Sequence, residues 1–200
     1  NGCSNTAQTT VTVNPLPAVS GGTNQAICSG AAITLNGSGA SSYTWNNNVQ
    51  NGVSFTPNAT QTYTVTGIDN NGCSNVATVT VTVNSLPVVS ANYPISVCQG
   101  TPVVLIASGA LTYAWNNNVQ NGIGFIPQST QVYTVIGTDA NGCTDSDQIT
   151  VTVNSYPTVN AGSNQTVCAG SQVTLNASGA VSYTWNNNVV NGVPFTINST

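Results

Sequence analysis

The chain of 200 residues contains no lysine, arginine, histidine, methionine or glutamate, and its charged side chains are Asp69, Asp139, Asp145 and Asp147, for a net charge of −4. Without cationic side chains a protein cannot neutralise phosphates, which excludes nucleic-acid binding and anionic-membrane binding by the electrostatic route. Acid–base catalysis needs a titratable pair in a cleft, and here there is no histidine or glutamate to form one with the four aspartates. The abundant Ser and Thr have no base to activate them, so a hydrolase triad is excluded. There is no glycine-rich phosphate loop, no window with the period of an amphipathic helix and no segment for membrane insertion. The sequence therefore reads as non-enzymatic and implies no cofactor. Low charge is also a feature of disordered chains. However, 40% of the residues are hydrophobic, and Val and Thr alternate along much of the length, which describes β-structure.

What is present is repetition. Trp45, Trp115 and Trp185 stand 70 residues apart, as do Cys28, Cys98 and Cys168, and Cys3, Cys73 and Cys143. The segment WNNNVQNG from Trp45 to Gly52 recurs unchanged at Trp115 and with one substitution, Val190, at Trp185. No insertion or deletion separates the copies, as expected of tandem duplication. Within one copy, Ile33 and Leu35 alternate with Thr34 and Asn36, Tyr43 shares a face with Trp45, and Tyr63 with Val65. Val79, Val81 and Val83 then oppose Thr78, Thr80 and Thr82. Short runs of period two, broken every eight to twelve residues by Gly, Pro and Asn, predict an all-β sandwich. About seven short strands, with a Trp on the third and a Tyr opening the penultimate one, fit an immunoglobulin-like arrangement. Trp45, Trp115 and Trp185 are its expected core. Tyr63 and Tyr133 occupy the place of a tyrosine corner, the alternative being ordinary core aromatics.

These landmarks divide the chain into residues 1–15 as the last strand of a preceding repeat, repeats at 16–85 and 86–155, and an incomplete repeat at 156–200 lacking its last two strands. The expected explanation is a segment of a longer array; the alternative is strand donation between chains. Prolines at Asn14-Pro15, Leu86-Pro87 and Tyr156-Pro157 stiffen the junctions and restrict the angles between neighbours.

Six cysteines without histidine point to disulfides and an oxidising compartment. Pairing within a repeat would join Cys28 to Cys73 and Cys98 to Cys143. In an immunoglobulin-like sandwich, however, these cysteines sit at opposite ends, separated by a strand of ~23 Å, whereas a disulfide needs Cα atoms within about 7 Å. End-to-end stacking would instead bring Cys28 to Cys143, leaving Cys3, Cys73, Cys98 and Cys168 to partners outside these residues. Within-repeat bridges and free thiols stay open as alternatives.

Weaker motifs have ordinary explanations. Asp139, Asp145 and Asp147 around Asn141-Gly142 offer hard oxygen ligands for calcium, but a solvated acidic turn is expected, because the first repeat keeps only Asp69. The Asn run after each Trp offers amides to sugars, but a polar strand end and turn is expected. Asn36, Asn58, Asn164, Asn176 and Asn198 lie in N-x-S/T sequons. The Thr rows are similar to flat ice-binding faces but are expected as exposed strand residues.

Three segments together carry a resemblance: CSGAAITLNGSGASSYTW from Cys28, TQTYTVTGIDNNGC from Thr60 and the closing TVTVNSLP from Thr80. They resemble the tandem immunoglobulin-like, PKD-like repeats of giant secreted surface proteins of Bacteroidetes, including gliding-motility adhesins. The resemblance implies export to the cell surface, commonly through a type IX system, and a role as filament, stalk or adhesin. On this reading each domain adds ~35 Å to a fibre, and the partners are neighbouring repeats of the same chain or identical chains, with an unspecified surface or glycan ligand. The alternative is a carbohydrate-binding accessory array of a secreted enzyme, which needs the three Trp exposed as stacking platforms.

Overall fold

A computed structural model describes residues 1–198. Among the described residues every regular element is a strand. The first repeat contains β1 (Gln25–Cys28), β2 (Ile33–Thr34), β3 (Ser42–Trp45), β4 (Ser54–Phe55), β5 (Gln61–Ile68) and β6 (Ser74–Asn84). The second contains β7 (Ser90–Ala91), β8 (Ile95–Cys98), β9 (Val103–Val104), β10 (Ala107–Ser108), β11 (Thr112–Trp115), β12 (Gly124–Phe125), β13 (Gln131–Thr138) and β14 (Thr144–Asn154). The third contributes β15 (Gln172–Val173) and β16 (Phe195–Thr196).

In the first repeat one sheet has the order β1-β6-β5-β3, and a second pairs β2 with β4. A bridge between Ser20 and Ser38 adds a seventh extended segment beside the short sheet. β1 runs parallel to β6, Gln25 opposite Val81 and Cys28 opposite Asn84. β5 runs antiparallel to both β6 and β3, placing Tyr63 opposite Val79 and Trp45 opposite Val65. The inward faces of the two sheets meet in a core of Ile33, Leu35, Trp45, Tyr63, Val65, Val79 and Val81, with Ile27, Phe55 and Ala77 packed against it. Alternation sends the threonines outward, where the Thr62 and Thr80 hydroxyls lie 3.0 Å apart. Each large apolar side chain buried in this way stabilises by about 1.5–3 kcal/mol, but so few of them leave a small sandwich marginal. A parallel first strand, a two-sheet core and a Trp on the third strand are together an immunoglobulin-like arrangement.

The second repeat orders its larger sheet β11-β13-β14-β8, the same sequence of equivalents, beside the pairs β12-β9 and β10-β7. Val103, Leu105, Trp115, Tyr133, Val135, Ile149 and Val151 are buried as their counterparts are. In the third repeat β15 pairs with β16 and Asn160 bridges Ser178, while residues 182–185 carry no ladder. Trp185 departs from the expected core placement and is only half-buried. Trp45, by contrast, lies opposite Val65 of β5 across the ladder. Residues 1–16 are exposed and unpaired with any strand.

The chain forms two compact units. One holds Asn1–Asn92, Leu105–Gly122 and Thr134–Gln148; the other holds Tyr93–Val104, Ile123–Tyr133 and Ile149–Thr200. The whole first repeat thus shares a unit with one end of the second.

Candidate functional site

The chemistry that links this first unit together is a disulfide between Cys28 and Cys143, 115 residues apart in sequence with Cα atoms 5.5 Å apart. Cys28 closes β1 at a tight turn. Ser29 N donates to Asn84 O at 2.8 Å and Ala31 N to Cys28 O at 3.0 Å. Cys143 sits in the hairpin between β13 and β14, which Asp139 organises. The Asp139 carboxylate accepts from Asn141 N and Cys143 N, both at 2.8 Å, and Asp139 N donates to Cys143 O at 2.9 Å. Gly142 supplies the positive φ of 80° that this hairpin needs.

The bridge joins one repeat to the next, and the within-repeat pairing is overturned. Cys73 and Cys98, the partners it would require, are both free. Strand polarity is the reason, since it puts the β1 turn and the β5–β6 turn at opposite ends of one sandwich. Cys3 and Cys168 are also free. The repeats supply an internal control for burial: Cys143 is completely buried, whereas its unbonded counterpart Cys73 is partly exposed. Cys28 is itself half-exposed.

The aspartates are committed to backbone. Asp69 repeats the Asp139 arrangement, accepting from Asn71 N and Cys73 N at 2.9 Å. The Asp147 carboxylate accepts from Ala91 N and Gln148 N, both at 2.8 Å. The Ala91 bond, then the Gln148 bond, hold its carboxyl below the usual range. Among the described residues no group of three or more His, Cys, Asp or Glu is placed to hold a metal ion.

The WNNNVQNG segment is a structural device that sequence reading missed. Asn51 Oδ1 accepts from Trp45 Nε1 at 3.0 Å and from Gly37 N at 2.7 Å. Asn121 does the same for Trp115 and Ala107, and Asn191 for Trp185 and Ala177. Asn46 Oδ1 accepts from Thr64 N at 3.0 Å, tying the end of β3 to β5. Asn47 and Asn48 adopt φ of 54° and 58°, a left-handed region that Asn tolerates better than most residues. The run of asparagines is therefore spent on its own turn.

The tyrosine corner is also reassigned. Tyr43, not Tyr63, clamps a turn: its hydroxyl donates to Ala40 O and accepts from Ala40 N. Tyr113 and Tyr183 repeat this at Ala110 and Ala180. The clamped turn needs Gly39, whose φ is 85° and where a Cβ would run into the Ala18 carbonyl oxygen. Tyr63 and Tyr133 are core aromatics, each with ring centroid 5.3 Å from Phe55 or Phe125. Burial raises the Tyr133 phenol above its ordinary pKa.

No protein-family model matches the chain, and no curated protein matches it. Among solved structures it is similar to the titin domains Z1Z2 in complex with telethonin, at 12% identity and TM-score 0.30, covering 72% of this chain and 100% of that one. It is similar to the insect immune protein hemolin at 19% identity and TM-score 0.37, covering 70% of this chain and 47% of hemolin. A third is the N-terminal Ig1-2 module of the Drosophila receptor tyrosine phosphatase DLAR, at 15% identity and TM-score 0.29, covering 70% and 100%. The immunoglobulin-like description rests on the strand order and core given above. No helix among the described residues is long and apolar enough to cross a membrane.

Proposed function

We propose that the chain is a structural and adhesive repeat segment of an extracellular cell-surface filament or stalk, of the kind its motifs resemble in Bacteroidetes surface proteins. The observation that carries this reading is the disulfide that ties one repeat to the next. A bridge across the junction fixes neighbouring sandwiches to one another. Such a bond persists in oxidising surroundings, which supports secretion. Exact repetition at 70 residues and nearest-neighbour linkage suit a quasi-one-dimensional assembly whose length scales with repeat number. On this reading Cys3, Cys73, Cys98 and Cys168 make equivalent bridges to other repeats. The role is mechanical rather than catalytic, with no cofactor.

The carbohydrate-binding alternative requires exposed Trp platforms. Trp45 and Trp115 are instead 4% and 8% exposed, with their indole nitrogens bound to Asn51 and Asn121. The proposal is tested by electron microscopy of the intact protein under oxidising conditions, with immunolabelling of the cell surface. Stiff surface fibres labelled along their length are expected. A flexible bead-like chain, or label confined to the cell interior, would overturn it.

A further inference from the structure

The position of the disulfide determines which residues would bear tension. From Leu16 the chain reaches Cys28 in about a dozen residues, crosses to Cys143, and arrives at Tyr156 after about a dozen more. The residues between the two cysteines, 29–142, form a closed covalent loop containing every strand from β2 to β13, with Trp45 and Trp115. Much of the short path is already drawn out in strands, and residues 16–24 precede them without regular structure. The strands are the four residues of β1 and the eleven of β14. A strand advances about 3.3 Å per residue, against a limit of about 3.3–3.6 Å for a fully stretched chain. Little slack is stored in those two strands.

We propose that the Cys28–Cys143 bridge is an extension limiter: it routes tension through β1, the disulfide and β14, so that the looped sandwich strands can open without the chain growing longer. This takes from the proposed function only that the chain meets tension. The greatest separation of Leu16 and Tyr156 is then about 90 Å with the bridge and about 480 Å without it, a fivefold difference set by covalent connectivity alone. The junction Ser85-Leu86-Pro87, β6 and β8 all lie inside the loop and carry no load while the bridge holds.

The test is single-molecule pulling on the full chain, with azide-bearing residues at the exposed positions of Leu16 and Tyr156. Cys3, Cys73, Cys98 and Cys168 are alkylated, and the Cys28–Cys143 linkage is verified by peptide mapping. The expected result is an extension that stops near 90 Å up to handle failure. Adding reductant, or substituting Cys28→Ser, releases steps totalling about 390 Å more. Lengthening of the verified bridged chain by hundreds of ångströms without reductant would overturn the inference. So would a reduced chain that extends no further than the bridged one at the same force. Either result leaves the surface-filament reading standing, because labelling and microscopy test that separately.

Discussion

Removing the bridge by Cys28→Ser gives the most direct thermodynamic prediction. The site tolerates the change in the folded state, because Cys28 is half-exposed and the Cys143 thiol left behind is a small apolar group suited to its buried position. The effect falls mainly on the unfolded chain. A cross-link between residues 115 apart removes loop-closure entropy that corresponds to about 4.8 kcal/mol at 25 °C. That sum is distributed over the unfolding of both linked repeats, since the loop is released only when both have opened. Cys143→Ser should cost about 1–3 kcal/mol more than Cys28→Ser, because it leaves a hydroxyl at a position with no solvent exposure. The assay is equilibrium urea unfolding with the other thiols alkylated, followed by the fluorescence of Trp45 and Trp115, both of which lose a buried environment. Total stabilities of the oxidised protein and Cys28→Ser within about 1 kcal/mol of each other would refute the entropic argument. Equal losses for the two serine variants would refute the burial argument.

Substitutions at three other positions separate local effects. Asn51→Ala strands the Trp45 indole N–H and Gly37 N–H and should cost about 1–3 kcal/mol in urea unfolding, whereas Asn51→Asp keeps the accepting oxygen and should recover most of it. The Asp147 carboxyl is held below its ordinary pKa by the Ala91 and Gln148 amides. Its contribution is therefore complete above the unfolded carboxylate pKa of about 3.9 and disappears as pH falls through the lower folded value. Thermal melts between pH 5 and 2 should accordingly show an acid-sensitive transition that Asp147→Asn flattens. Gly39→Ala forces a side chain into a left-handed backbone position against the Ala18 carbonyl and should cost at least about 1–2 kcal/mol, read as a lowered Tm.

Much of the fold was legible because alternation is a direct record of which face is buried. Tyr63, Val65, Val79 and Val81 face inward as period two requires. The inter-repeat disulfide was legible for a similar reason, since counting strands puts the two turn cysteines of one sandwich at opposite ends. Alternation could not say which tyrosine hydroxyl finds a backbone partner. Both Tyr43 and Tyr63 point inward, and the difference depends on the Gly39 turn lying three or four residues before Tyr43. Asn51 was hidden because a polar residue in a turn, six positions after a Trp, reads as solvated until the chain folds back over the indole. The available signal was that Asn51, Asn121 and Asn191 are identical although Gln50 and Gln120 give way to Val190. Trp185 illustrates a different limit: a residue's periodicity tells which way it faces, not how deeply it is buried.

The order β1-β6-β5-β3 has a consequence for crowding. Neighbouring copies with nearly the same sequence are prone to pair wrongly while folding, and proteins commonly guard exposed strand edges with lysines, of which this chain has none. In the larger sheet the two long strands, β5 and β6, lie between the four-residue strands β1 and β3, and β1 covers β6 from Val81 to Asn84. Edge strands that short offer few free backbone groups of their own to a neighbour. Brevity of the edge strands is thus a guard open to an almost uncharged chain whose repeats are so alike in sequence.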